Sequence, residues 1–366
     1  MIGGLLVVIG IIAIVMIHET GHFLAARAVG MKATEFFFGF GPRLWSTRRG
    51  ETEYGVKALP LGGYVRITGM NLLEEVAPED EGRAYRDKPF WAKSLVVLAG
   101  SATHFPVAFL LFYVVVSGVG LPVPTTTVNR VQATLDDGTA TPASLAGLLV
   151  GDTVLALDGT ATPEWEDLVD AISAHPGETV TLTVERAGEA LSVDVVLASV
   201  DDGAGGERGY LGIAPGSRKE RVGPGAGLVD AGQSLGNAVV ASGRGLWELV
   251  TGVPRLLGAV LGGNGEDLGD NRPVSPIGLV SVAGDLGPGY ALQLVAYVAV
   301  FVGVLNAVPL YPLDGGHFVV ALYEKLRGRP ADVRKLMPVA ATVVAFLVII
   351  GLLAVYLDIA NPLDLG

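Results

Sequence analysis

The sequence predicts a multi-pass α-helical membrane protein of about four spans, with a membrane-reentrant β-loop and an inserted α+β domain. Three observations lead there. Half of the 366 residues are hydrophobic and only 17% are charged, a balance that favours a membrane protein over a soluble domain. Four apolar runs, 2–25, 94–121, 291–310 and 336–357, are each long enough to cross roughly 30 Å of hydrocarbon as a helix. Between the second and third, the chain turns to alternating strands, an amphipathic helix and most of the acidic residues. The parts divide as 1–121 (first half of the membrane core), 122–216 (inserted domain), 217–288 (amphipathic linker) and 289–366 (second half of the core).

The first run has no basic stretch after Met1 and no small-residue cleavage site, so it reads as a permanent span and not a secretory signal. It also contains His18, Glu19 and His22. An ionisable group at the centre of a span costs roughly 2.5–3.5 kcal/mol, so something must compensate, and a metal ion is the obvious candidate.

Basic residues gather between Arg27 and Lys93 and again between Lys325 and Lys335, beside the spans. The positive-inside rule makes the loops after spans one and three cytoplasmic, with His18, Glu19 and His22 toward that side. The N-terminus, the acidic insert and the C-terminus then lie outside. A net charge of −12 without a basic stripe argues against nucleic acid as a partner. The absence of cysteine excludes disulfides and thiolate metal sites.

After span one, short β-rich runs are punctuated by Gly39, Gly41-Pro42, Pro60 and Gly62-Gly63, which predicts a strand meander. Its segment "ALPLGGYVRITGM" is apolar enough to dip into the membrane, where irregular backbone is tolerated only when protein or an aqueous cavity covers it. Residues 72–88 read as a polar, mobile loop. In span two, Gly100, Ser101 and Ala102 permit close helix packing, and Pro106 is expected to kink or interrupt the helix.

In the insert, a short helix is expected to end at Gly147, a strand to run 153–157, and Asp158-Gly159 to make a tight turn. This logic over 141–172 resembles a PDZ domain. "GYLGI" (Gly209, Tyr210, Leu211, Gly212, Ile213) is similar to the peptide-carboxylate loop and its strand, placed late as in circularly permuted bacterial PDZ domains. The resemblance implies a peptide ligand added as a strand to a sheet edge. In the linker, residues 235–260 have apolar positions at helical spacing interrupted by Arg244, Glu248 and Arg255. They read as a helix on the bilayer surface, with a fifth span as the competing reading.

His18-Glu19-Thr20-Gly21-His22 is an H-E-x-x-H sequence. On a helix, residues four apart share a face, so both imidazoles can address one ion, while Glu19 can accept a proton from water activated there. A catalytic zinc needs a third protein ligand and an open position. "NAVPLYPLDGGH", 306–317, offers Asp314, which could equally cap the helix that follows. His317 lies close enough to tempt a ligand assignment but reads better as a neighbour of the site. His104 reads as a hydrogen-bonded packing histidine, and His175 as a surface residue.

The two motifs together resemble the site-2 protease family of intramembrane zinc metalloproteases, in its regulator-of-sigma-E protease branch, here with a single PDZ domain. The resemblance implies that His18, His22 and Asp314 bind one Zn2+ and that Glu19 is the general base. It further implies that Asn306 holds the substrate backbone and that Gly62, Gly63, Tyr64 and Val65 receive an unwound substrate as an added strand. Single-span membrane proteins in the cell membrane are the implied substrates, among them anti-sigma factors and remnant signal peptides. Where the family often has "AGP" followed by asparagine, this chain has "AGSATH", with Ser101 and His104 at those places.

Three other readings compete. Integral-membrane peptidases with a distant glutamate as third ligand lack the L-D-G pairing. A non-catalytic PDZ-bearing scaffold would not need Glu19. A transporter predicts internal repeats, and none is evident.

Overall fold

The computed structural model describes residues 2–71, 74–135, 138–201, 205–261 and 273–360. It divides into two compact units, Met1–Val119 with Val222–Gly366, and Gly120–Arg221.

In the first unit, α1 (Ile2–Ala28), α2 (Phe90–Tyr113, prolonged by a π-helical turn to Val119), α7 (Pro288–Ala307) and α9 (Val333–Ala360) are long and apolar enough to cross a membrane. Small residues set their spacing. A Cβ built on Gly3 would fall 1.9 Å from the Ala283 carbonyl oxygen of α6 (Pro276–Leu286), and one on Gly10 2.5 Å from the Val295 side chain of α7. One on Gly21 would fall 2.6 Å from the Ala99 carbonyl oxygen of α2. Without side chains at these points, α1 lies flat against three neighbours, which is how helices associate where lipid removes the hydrophobic drive. Val7, Ile14, Ala108, Phe112, Val295 and Ala299 fill the resulting core.

Pro106 does not interrupt α2, which stays helical from Phe90 to Tyr113. The expected linker contains one continuous helix, α5 (Pro224–Leu261), which is not among the candidate spans, and the shorter α6. Residues 262–272 of that linker and 361–366 at the C-terminus lie outside the described residues.

The meander is more folded than its turns suggest. β1 (Ala33–Arg49) and β2 (Thr52–Ile67) wrap around each other, so Phe36 lies opposite both Val65 and Tyr54, and Phe37 opposite both Tyr64 and Gly55. The loop that follows makes specific contacts despite its polarity. Lys32 Nζ meets Asp80 at 2.8 Å, Arg83 grips Glu51 through both terminal nitrogens, and Tyr85 is buried beside Ala26, Ile67 and Val96. Residues 72 and 73 lie outside the described residues.

The second unit holds β3 (Leu121–Val131), α3 (Pro142–Leu145), β4 (Thr153–Leu157), β5 (Thr160–Ala161), α4 (Trp165–Ser173), β6 (Thr179–Arg186), β7 (Glu189–Val196), β8 (Ala198–Asp201), β9 (Glu207–Tyr210) and β10 (Ile213–Glu220). The sheet order is β10-β3-β4-β6-β7, with β5 beside β4 and β8 paired to β9. Asp158 and Gly159 both take positive φ (46° and 77°), the geometry of the tight hairpin turn expected there. A reciprocal capping box between Glu164 and Asp167 starts α4, whose Leu168 and Ile172 pack on Val154, Leu182 and Val184. "SVDVVLASV" is split between β7 and β8 instead of forming one strand.

Candidate metal centre

One helix face and one helix start build the site. α1 carries His18 and His22 one turn apart. α7 ends at Ala307, and after the 308–313 connection α8 (Asp314–Arg327) begins with Asp314 in its first turn. The tight reversal depends on two glycines. A Cβ on Gly315 would fall 2.2 Å from the Ala307 carbonyl oxygen, and one on Gly316 2.3 Å from the Tyr311 amide nitrogen. Asp314 does not cap α8: Leu313 occupies the N-cap position, and no side-chain cap bond forms there.

The three side chains converge. His18 Nε2 and His22 Nε2 lie 3.1 Å apart, and Asp314 Oδ2 stands 3.5 Å from the first and 3.4 Å from the second. Zinc held by bonds of about 2.0–2.1 Å in a tetrahedron requires donors about 3.3–3.4 Å apart, so the observed triangle is close to the size of one tetrahedral face. This is the one His/Cys/Asp/Glu group of metal-binding geometry among the described residues. Two imidazoles and a carboxylate are donors that suit zinc.

α2 supports all three donors from a single face. The Val96 carbonyl oxygen accepts from His22 Nδ1 at 2.7 Å. His104 Nε2 lies 3.0 Å from His18 Nδ1, and Ser101 Oγ donates to Asp314 Oδ2 at 2.9 Å. Both imidazoles thereby engage Nδ1 and turn Nε2 inward, the arrangement that orients metal-binding histidines. His104 is 2% exposed and Ser101 3%, so these polar groups would be costly to bury without their partners. Lys93 Nζ, near the start of α2, meets Glu324 Oε2 of α8 at 2.8 Å and holds the two helices together.

Glu19 sits beside the group, and its Oε2 accepts the Val65 amide at 3.0 Å. A Cβ on Gly63 would come within 2.8 Å of Met16 Sδ and 3.6 Å of Glu19 Cγ, so the Gly62–Val65 segment of β2 lies directly against α1. Tyr64 donates its hydroxyl to Glu35 and stacks on Phe37 at 5.8 Å. Val65 also lines an open cavity of about 690 Å³, with Tyr64, Arg66, Tyr311 and His317 among its other walls. His317 packs its ring 4.8 Å from that of Tyr311 and is not part of the donor triangle. Asn306 stands half-buried in the last turn of α7, also outside the triangle.

The other sequence-selected residues belong to the second unit. Gly209 packs against the end of α4, where a Cβ would fall 2.0 Å from the Ile172 carbonyl oxygen. Tyr210 donates its hydroxyl to Gln132 Oε1 at 2.7 Å, and Leu211 is buried. Gly212 adopts φ 89°, and Ile213 starts β10, whose sole partner in the sheet among the described residues is β3. His175 bonds the Ala171 carbonyl oxygen through Nδ1 at 2.7 Å.

Val96, Gly100, Ser101 and His104 as a supporting face were not read from the sequence. Their signal is a spacing of four, five and eight residues around a buried histidine in an apolar helix.

Residues 6–350 match the model of peptidase family M50. Zinc metalloprotease Rip1 of Mycolicibacterium smegmatis is 33% identical over 404 residues, covering 100% of this chain and 98% of that protein. Zinc metalloprotease Rip1 of Mycobacterium tuberculosis is 34% identical over 407 residues, covering 99% and 98%. Among solved structures, the PDZ domain of an SdrC-like protein from Listeria monocytogenes aligns with 26% of this chain and 93% of its own length. Its identity is 24% and its TM-score 0.20, too low to decide the fold of the inserted unit.

Proposed function

The chain belongs to peptidase family M50 and is a multi-pass membrane zinc metalloprotease; from that premise we propose that it hydrolyses peptide bonds in or beside the membrane-spanning segments of single-span proteins. The observation that carries this reading is the convergence of His18, His22 and Asp314, two of them within a helix apolar enough to cross a membrane. Soluble proteases have no need to pay that burial cost.

In this reading His18, His22 and Asp314 hold the zinc. When bound, zinc supplies a Lewis acid that makes water ionisable near neutral pH. Glu19 would accept a proton from the attacking water and hand it to the leaving amine. The bond from the Val65 amide to Oε2 fixes the carboxylate and leaves Oε1 to carry the proton. Ser101 and Val96 keep Asp314 and His22 turned inward throughout.

A helical substrate hides its carbonyls, so it must be unwound before hydrolysis. The Gly62–Val65 segment lies against Glu19 and suits an extended substrate added as a strand. Asn306, at the end of α7, holds the substrate backbone beside it. The β1–β2 element reenters the membrane from the cytoplasmic side, as its contact with the middle of an apolar helix supports.

The inserted unit is a PDZ domain on the extracytoplasmic side, its β10 edge and the 209–213 loop forming a peptide groove that admits substrates already trimmed outside. α5 rests on the bilayer surface. Anti-sigma factors and remnant signal peptides are the substrate classes this account favours.

The test is cleavage of a tagged single-span protein by the purified enzyme in lipid vesicles, with product masses locating the cut. A cut within or at the border of the span is expected. Cleavage confined to the soluble tails would contradict the intramembrane reading.

A further inference from the structure

We propose that His104 is a positioning residue of the metal site: its imidazole, set in place by Gly303, holds His18 in the tautomer that leaves Nε2 free for zinc. The proposal rests on the reading of His18, His22 and Asp314 as the ligands.

A histidine that binds metal through Nε2 must carry its proton on Nδ1, and the partner of that proton fixes the ring. For His22 the partner is a backbone carbonyl, that of Val96. For His18 it is a side chain from another helix, His104 Nε2 at 3.0 Å, with the rings 5.1 Å apart and tilted by 47°. With His18 as donor, His104 accepts through Nε2 and keeps its own proton on Nδ1. His104 is 2% exposed and lies 86 residues from His18 in the chain. A bare packing role would be filled at lower cost by an apolar side chain.

Gly303 completes the arrangement. A Cβ there would stand 2.9 Å from His104 Cβ and 3.3 Å from Cγ. α7 thus presses its backbone against the base of the His104 side chain and limits where the ring can go. α7 contributes no donor to the triangle, yet through Gly303 and His104 it bears on His18.

The experiment measures zinc affinity by chelator competition on the purified full-length protein in detergent, with thermal melting as the check on folding. His104→Leu and His104→Met remove the acceptor while keeping comparable bulk. His104→Gln restores an acceptor oxygen at nearly the reach of Nε2. The expected result is roughly a 10- to 100-fold loss of affinity in the apolar variants, with His104→Gln recovering most of it. Gly303→Ala should also weaken zinc, by displacing the ring.

If a folded His104→Leu or His104→Met binds zinc like the wild type, the proposal is overturned, and His104 only fills space between the helices. If Leu, Met and Gln weaken zinc equally, the histidine matters by shape and the hydrogen-bond account is wrong. His18→Ala separates this proposal from its premise: zinc retained there would overturn the ligand reading itself.

Discussion

His22 occupies the space that a side chain at residue 100 would need: a Cβ built on Gly100 would fall 2.2 Å from His22 Nε2 and 2.5 Å from its Cε1. The glycine in α2 and the histidine in α1 therefore define one another, although they lie 78 residues apart in the chain. Gly100→Ala should favour the isolated helix by about 1 kcal/mol and yet evict the imidazole. The expected outcome is a folded protein that has lost about 100-fold or more in zinc affinity, exceeding the loss typical of a supporting residue, measured by chelator competition.

Asp314 is the third corner of the donor triangle, 3.4 Å from His22 and 3.5 Å from His18. Asp314→Asn keeps its volume and removes its charge. Metal analysis should show a fall from about one zinc per chain toward none, together with loss of cleavage. Full zinc occupancy in that variant would point to a different third ligand, such as a distant glutamate.

The bond from the Val65 amide to Glu19 can be removed without touching the donor triangle. Val65→Pro deletes the N–H, and Tyr64 before it already lies in an extended strand, as proline requires of its predecessor. A hydrogen bond to a charged group contributes about 1.5–3 kcal/mol, so kcat should fall by about 10- to 100-fold while zinc content stays unchanged. Zinc loss in this variant would mean that β2 supports the metal and not the base.

The inserted unit carries its own pH dependence. Asp152 is 1% exposed and accepts from Arg186 Nε and Nη2, both at 2.7 Å, and from the Leu149 amide at 2.8 Å. The Arg186 hydrogen bonds, outweighing burial, hold its carboxyl below the usual carboxylate range. A depressed folded pKa stabilises above the unfolded value, near 4, and that stability drains away as pH falls through the folded value. Asp152→Asn should therefore speed amide exchange of β4 at pH 7, with the difference from wild type shrinking as the pH is lowered below about 4. An undiminished difference in acid would assign the effect to packing alone.

Local pattern made much of this legible. Apolar length gives the four candidate spans, and a four-residue spacing puts His18 and His22 on one helix face. The turn at Asp158-Gly159 follows from residues that accept positive φ. What stayed hidden depends on partners far away in the chain. Residues 74–88 look polar and loose until Lys32 and Glu51 meet Asp80 and Arg83. The helical spacing over 235–260 announces the later part of α5, whereas its start at Pro224 does not show in the pattern. The supporting face of α2 shows in the sequence only as a spacing, because nothing within α2 says that Val96, Ser101 and His104 will each meet a different donor. Ser101 and His104 stand out in sequence only as departures from a familiar pattern.

Zinc binding and proton transfer fall to different residues of one chain, and Glu19→Gln separates them. The amide keeps the oxygen that accepts from Val65 but cannot take a proton from water. Purified wild type and variant, each with its zinc content determined, are given the same single-span substrate in vesicles. Equal zinc is expected in both, about one per chain, with cleavage by the wild type and none by the variant. Equal cleavage by both, or no zinc in either, would contradict it.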